Sequence, residues 1–109
     1  MASLSVTRGD TLPIVINITN NYEPYELEEG DILTFTVKET TNLNDAVLIQ
    51  KTMDATTGPY CELTPQDTNI PYGKYKYDVE LMQANGRVFT IIKPSRFTVT
   101  EEVTTHVWD

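Results

Sequence analysis

Residues 74–81 alternate polar and apolar side chains without a break, from Lys74 to Leu81. Alternation of this kind is typical of a β-strand that has one face in water and the other in a core. A turn sequence, Asn85 followed by Gly86, comes next, and a second apolar run follows over residues 87–93. The sequence therefore predicts a β-hairpin, which constrains the fold and indicates no chemistry.

The length of the hairpin loop decides which side chains of the second strand face the core. A two-residue type I′ turn would leave Phe89 and Ile91 on the solvent face. A three-residue loop over residues 84–86, with its glycine in the left-handed region, would instead set Leu81 opposite Phe89 and Val79 opposite Ile91. We favour the three-residue loop because it keeps the apolar residues of the second strand on one face. Those residues are Phe89, Ile91, Phe97 and Val99.

Strand-like runs with turn signals between them recur along the whole chain. Short strands at this spacing are typical of a β-sandwich or a β-barrel. All five glycines lie between the runs, where positive φ angles cost little only for glycine. No window shows the spacing of an amphipathic helix, so the predicted fold class is all-β. The predicted strands span residues 4–7, 12–19, 32–39, 47–52, 60–63, 74–83, 87–93 and 97–100.

Three local signals refine this outline. Pro13 and Pro94 cannot donate ladder hydrogen bonds, so we expect each at a sheet edge, a strand end or a β-bulge. The sequence Thr-Pro-Gln-Asp at residues 64–67 predicts a single helical turn with a capping hydroxyl and a capping carboxylate. The Arg-Gly-Asp sequence at residues 8–10 matches an integrin-binding tripeptide, but we interpret it as an ordinary turn.

Length and charge exclude several classes of protein. The 109 residues fit one domain, which we place over residues 1–103, with residues 104–109 as a C-terminal tail or a last strand. A formal net charge of −8 makes attraction to a phosphate backbone unfavourable. No apolar stretch approaches the roughly 20 residues that cross a bilayer, and the first residues lack the pattern of a secretion signal. We therefore expect neither nucleic acid nor a membrane as a partner.

Few residues offer catalytic or metal chemistry. His106 is the single histidine, and its place near the end of the chain is a poor one for a general base. The acidic residues within 23–31 lack the spacing of a calcium loop, and we interpret them as a solvated loop. Cys61 is the single cysteine, and we expect it to be an ordinary strand residue. The sequence predicts no enzyme, no catalytic residue, no cofactor and no metal site.

Aromatic residues are the remaining candidates for binding. Tyr75 and Tyr77 share the apolar face of the 74–81 strand, and we expect them in the core with their hydroxyls at its rim. Three further tyrosines lie in loops beside prolines, and a tryptophan lies near the C-terminus. Aromatic side chains in loops are suited to protein interfaces or to stacking on sugars. The interface candidates are Tyr22, Tyr25, Tyr72 and Trp108.

Several segments together resemble a module of tailed phages and prophages. The opening half contributes Arg-Gly-Asp-Thr at residues 8–11, the apolar run 14–18 and the strand-like run 30–38. The closing half contributes residues 64–68, 73–81, 85–87 and 97–100. Nearly the whole chain is similar to the N-terminal domain of the phage baseplate upper protein family and to related tail-associated β-sandwich domains.

The resemblance implies a single immunoglobulin-like antiparallel β-sandwich of about 7–8 strands. It implies a non-enzymatic structural or assembly module of a virion, in the baseplate, in the tail or on the capsid, that is assembled in the cytoplasm of the bacterial host. The partners would be other virion or tail proteins, in a homo-oligomer or a hetero-assembly. The family has no active-site motif to carry over. The alternative is a carbohydrate-binding or adhesin-type β-sandwich module that uses the loop tyrosines and acidic residues with calcium.

Overall fold

The computed structural model describes residues 3–20 and 22–104, and this part of the chain holds nine β-strands and no α-helix. The all-β prediction is therefore confirmed. Two predicted runs match to the residue, the run 12–19 divides into two strands, and the last two runs join into one. The strands are β1 (Leu4–Thr7), β2 (Leu12–Val15), β3 (Thr19–Asn20), β4 (Glu23–Pro24), β5 (Ile32–Lys38), β6 (Ile49–Met53), β7 (Tyr60–Leu63), β8 (Gly73–Met82) and β9 (Val88–Thr100).

Five strands form one sheet in the order β1-β9-β8-β5-β6. A second sheet pairs β2 with β7, and β3 pairs with β4 in a short hairpin. All pairs are antiparallel except β1 and β9, which run parallel with Leu4 opposite Phe97. The expectation of purely antiparallel pairing is wrong here, because these two strands are far apart in sequence and no tight turn dictates their direction. The strand count exceeds the expected one through the two-residue strands β3 and β4.

The β8–β9 hairpin has the predicted three-residue loop. Gly86 has a φ of 90°, and its N–H donates to the carbonyl of Gln83 at 2.8 Å. Leu81 lies opposite Phe89, as the three-residue loop requires. A left-handed glycine after a turn is the arrangement that matches the twist of the two strands. This part of the predicted register is confirmed.

Farther along β9 the predicted register is wrong. Val79 lies opposite Ile92 rather than Ile91, because a β-bulge inserts one extra residue into β9. A second register shift follows around Pro94, at a position where a proline removes a ladder hydrogen bond. The two shifts together restore the alternation, so that Phe97 is fully buried as expected.

The core lies between the five-stranded sheet and the β2–β7 pair. Its centre is an aromatic cluster in which the rings of Phe35, Tyr77 and Phe97 have centroids 5.3–6.4 Å apart, in tilted and edge-on arrangements. Tyr75 is also buried, and its hydroxyl donates to the carbonyl of Pro71. The prediction that Tyr75 and Tyr77 belong to the core is confirmed.

The local signals also appear as expected. Pro13 lies in the two-stranded sheet, where every strand is an edge. In the turn after β7, the Asp67 N–H donates to the Thr64 hydroxyl at 3.2 Å, and the Thr64 N–H donates to the Asp67 carboxylate at 2.7 Å. The turn at residues 8–10 is closed by the Asp10 N–H, which donates to the Thr7 carbonyl at 3.0 Å. The candidates Trp108 and His106 lie outside the described residues.

Candidate binding groove

One edge of β9 is only partly covered. On one side, β8 pairs with β9 from Val88 to Val99. On the other side, β1 pairs with it only from Phe97 to Thr100, and no other strand of the described chain reaches this edge. Residues 88–92 of the open stretch are uncharged, contain no proline and have high β-propensity. A stretch of this kind is a ready template for pairing with another chain.

The hydrogen-bond pattern of the hairpin decides which backbone groups face the open edge. The Gln83 N–H donates to the Arg87 carbonyl at 2.8 Å, so these two residues form a bonded pair. Bonded pairs recur every second residue in an antiparallel ladder, so Phe89 turns its N–H and C=O toward β8. The N–H and C=O groups of Val88 and Thr90 therefore point away from β8, toward the open edge.

The open edge borders a groove whose opposite wall is formed by residues 14–20. A part of about 460 Å³ lies beside the hairpin, and a part of about 210 Å³ lies toward β1. Asn17 and Ile91 line both parts, so the two form one groove. The lining is apolar at Ile14, Ile16, Ile18, Leu81 and Ile92, and polar at Asn17, Thr19, Asn20, Gln83 and Arg87.

The opposite wall is held from its far side. The Ile16 N–H donates to the carbonyl of Pro59, and the Tyr25 N–H donates to the carbonyl of Ile18, both at 2.8 Å. These bonds connect the wall to the segment before β7 and to the segment after β4. Because the wall is anchored away from β9, it forms the side of the groove and does not pair with the open edge.

Tyr25 lines the groove and is fixed by the buried carboxylate of Asp31. The Tyr25 hydroxyl donates to Asp31 Oδ2 at 2.6 Å, and Asp31 also accepts the N–H groups of Glu28 at 3.0 Å and Ala84 at 3.3 Å. The hydrogen bond from Tyr25, followed by the bonds from the two backbone N–H groups, lowers the pKa of Asp31. The same hydrogen bond raises the pKa of Tyr25. Asp31 therefore joins the acidic loop to the hairpin instead of standing free in solvent.

The mouth of the groove combines aromatic, cationic and amide groups. The guanidinium carbon of Arg87 lies 5.1 Å from the ring centroid of Phe89, within the range of a cation–π contact. The side-chain amide of Gln83 donates to the Tyr25 hydroxyl at 3.3 Å. Phe89 is 39% exposed, although its partner Leu81 is buried. The expectation that Phe89 is a core residue is therefore wrong, because the groove leaves its ring open to solvent.

The tyrosine candidates do not form one patch. Tyr22 is fully exposed between β3 and β4, with a φ of 67°. Tyr72 precedes β8 at its first end, where its hydroxyl donates to Glu102 at 2.7 Å and the guanidinium of Arg8 lies 5.2 Å from its ring centroid. Tyr25 contacts the hairpin beyond the other end of β8, so a strand of ten residues separates it from Tyr72.

The outer face of the five-stranded sheet carries a row of three cations. Lys38 lies opposite Lys76, and Lys76 lies opposite Arg96. Like charges on neighbouring strands destabilise a sheet. Neither of the two salt bridges found among the described residues includes a member of this row. The row is a local exception on a protein whose net charge is −8.

Other chemistry is sparse in the described part of the chain. No group of three or more His, Cys, Asp or Glu side chains there is arranged to hold a metal ion. Cys61 is buried in β7, as predicted for a strand residue, and burial raises the pKa of its thiol. Residues 3–20 and 22–104 include no helix that is long and apolar enough to span a bilayer.

One of the groove residues was predictable from the sequence, and others were not. Of the four interface candidates, Tyr25 lines the groove. Asn17, Arg87 and Phe89 also line it, and the patterns of the sequence did not single them out as a site. Alternation tells which face of a strand a residue occupies, but it does not tell which strand edges remain unpaired.

Comparisons with family models, with curated proteins and with solved structures found no match to this chain. The groove and the open edge of β9 are therefore the features on which a function can be argued.

Proposed function

We propose that this chain is a non-enzymatic assembly module of a tailed phage or prophage particle, and that it acts by protein–protein contact. The observation that carries the proposal is the open edge of β9 at residues 88–92, beside a groove with an apolar floor. Unpaired strand edges are recognised by main-chain hydrogen bonding from another polypeptide. The proposed partners are other virion or tail proteins or further copies of this chain, and the proposed location is the virion.

An immunoglobulin-like sandwich is the proposed finer description of the fold. The order β9-β8-β5-β6 matches the order of strands G, F, C and C′, and the pair of β2 with β7 matches the pair of strands B and E. With Cys61 as its one cysteine, the chain cannot form the inter-sheet disulfide of antibody domains. The proposal for the fold therefore rests on strand order.

The row of cations on the outer sheet face gives independent support for protein contact. Lys38, Lys76 and Arg96 lie side by side at a cost in free energy. An acidic surface on a partner would offset this cost. Association through the row would weaken as salt is added.

The test is the mass of the purified protein by light scattering across concentration and salt, together with its detection by antibody in tailed particles purified on a density gradient. We expect a ring, a trimer or a concentration-dependent polymer, and co-purification with the particles. Lys76→Glu should weaken the association, whereas Lys93→Glu makes the same charge change outside the row and serves as the control. A strict monomer that is absent from the particles would overturn the proposal.

A carbohydrate-binding or adhesin-type module is the second candidate. The composition of the groove mouth favours this candidate, because aromatic rings lie there beside side-chain amides. A few polar groups on an apolar surface are typical of sites that bind small ligands. Titration with an oligosaccharide panel, followed by amide chemical shifts, distinguishes this candidate from the first. Binding that is lost in Phe89→Ala would favour the sugar site. The residues concerned are Tyr25, Phe89, Asn17, Asn20 and Gln83.

A further inference from the structure

We infer that the groove is a strand-addition site, in which an extended segment of a partner protein pairs with β9 at residues 88–92. The segment would be about five residues long, with apolar side chains at alternate positions that cover the groove. This inference rests on the proposed function and deepens it, because it names the form in which the partner meets the site.

Part of this edge of β9 is already paired with another strand. β1 pairs in parallel with β9 from Phe97 to Thr100. The same edge continues toward Val88 without a partner in the described chain. Pro94 and the second register shift lie between the two stretches and separate the position of β1 from the open position, whereas the first shift falls at Ile91, within the open stretch. A strand added at residues 88–92 would pair with the same edge of β9 that β1 pairs with farther along.

The exposed groups of the open stretch suit a polypeptide backbone. The N–H and C=O groups of Val88 and Thr90 face the edge, and residues two apart on a strand are separated by about 6.8 Å. An extended peptide presents its own N–H and C=O groups at the same interval, whereas sugar hydroxyls have no such repeat. No residue within 88–92 is charged, so an incoming strand meets no buried charge.

The side chains that remain uncovered lie where an added strand would reach them. Phe89 is 39% exposed and Ile91 is partly buried, and both line the groove. Alternate side chains of an added strand would face the groove and contact these two residues, and the others would face solvent. Covering them removes apolar surface from water without disturbing the core beneath.

A tethered strand tests the inference without knowledge of the natural partner. Because β1 runs parallel to β9, a segment fused ahead of Met1 through four Gly and Ser residues is directed along the open edge. The fused segment alternates Val and Ser over five residues, and both phases of the alternation are made. Tethering gives an effective concentration in the millimolar range, so weak pairing becomes visible. The control segment has the same sequence except for a proline in place of the central residue.

The readout is hydrogen exchange of the Val88 and Thr90 amides, measured with thermal stability. In one of the two phases we expect exchange at both amides to slow by about tenfold or more, which corresponds to a strand bound most of the time. Thr90→Pro removes one edge N–H and should abolish this protection, whereas Thr90→Val keeps the N–H and should preserve it. If Thr90→Pro fails to fold, Asn17→Trp narrows the groove from the opposite wall and should reduce the protection instead.

Exchange that is unchanged in both phases would overturn the inference. Protection that survives in both Thr90→Pro and Asn17→Trp would also overturn it, because the added strand would then lie elsewhere. Oligosaccharide binding to the groove, without protection by either fused strand, would assign the groove to a sugar and overturn it as well. Assembly into particles with no protection by either strand would remove the inference alone, and protection without assembly would remove the proposed function alone.

Discussion

Gly30→Ala tests the contact between the acidic loop and the β8–β9 hairpin. Gly30 has a φ of 92°, and a Cβ added there would lie 2.6 Å from the Cβ of Ala84. The left-handed backbone alone costs an alanine about 1–2 kcal/mol, and the reduced freedom of the unfolded chain offsets about 0.4–1 kcal/mol of this. The shifts of neighbouring atoms that relieve the steric overlap cost about 1–3 kcal/mol more. We therefore expect Gly30→Ala to lower the free energy of unfolding by about 2–4 kcal/mol.

Gly86→Ala is the matched control for this prediction. Gly86 has a φ of 90°, but no atom lies within 4 Å of a Cβ placed on it, so only the backbone cost applies, and we expect a loss of about 1 kcal/mol. In an Ala84→Gly background the overlap disappears, and the cost of Gly30→Ala should fall to the same value. Urea unfolding of the four combinations of Gly30→Ala and Ala84→Gly measures the coupling. Equal losses for Gly30→Ala and Gly86→Ala, or no recovery in the double variant, would refute the reasoning.

Three further outcomes are expected from urea unfolding. The hydrogen bond from Tyr25 lowers the pKa of Asp31 in the folded protein, so the Asp31 carboxylate stabilises the fold above the unfolded pKa of about 3.9. This stability is lost as the pH falls through the folded pKa. Asp31→Asn should therefore make the free energy of unfolding less dependent on pH on the acid side. Val79→Ala should cost about 2–3 kcal/mol because the side chain is fully buried, whereas Lys76→Glu on the solvent face should change stability by less than about 1 kcal/mol. Thr64→Ala should cost about 1 kcal/mol because it removes a cap, and an unchanged midpoint would contradict the reciprocal bonds seen in that turn.

The parts of the fold that follow from local chemistry could be predicted from the sequence. Alternation placed Tyr75 and Tyr77 in the core, and the loop glycine at position 86 fixed the start of the hairpin register. The bulge that sets Ile92 opposite Val79 could not be predicted, because it depends on how β9 fits the rest of the sheet. The parallel pairing of β1 with β9 is likewise a long-range choice with no signal in either segment.

The groove was harder to predict than the strands. Tyr25 stood out as an aromatic residue in a loop, but its hydroxyl is fixed by Asp31, which the sequence presented as one of several acidic residues. Phe89 occupies the face that its alternation indicates, yet it is exposed because the wall opposite it stands away from β9. A residue on the core-facing side of a strand is buried only if the opposite sheet or loop covers it, and tertiary packing decides whether it does.

The wall of residues 14–20 also explains how an edge of β9 can stay unpaired within one chain. Free edges invite whole sheets to join edge to edge, and proteins counter this with prolines, bulges and charges. On β9 the proline, the charges and one register shift are concentrated from Lys93 to Arg96, whereas residues 88–92 contain neither a proline nor a charge, only the β-bulge at Ile91. There the opposite wall takes the place of the proline and the charges, because residues 14–20 stand on the far side of the groove and obstruct the approach of a second complete sheet. The assembly contact that we propose requires this combination of an open stretch for one extended segment and protection from indiscriminate pairing.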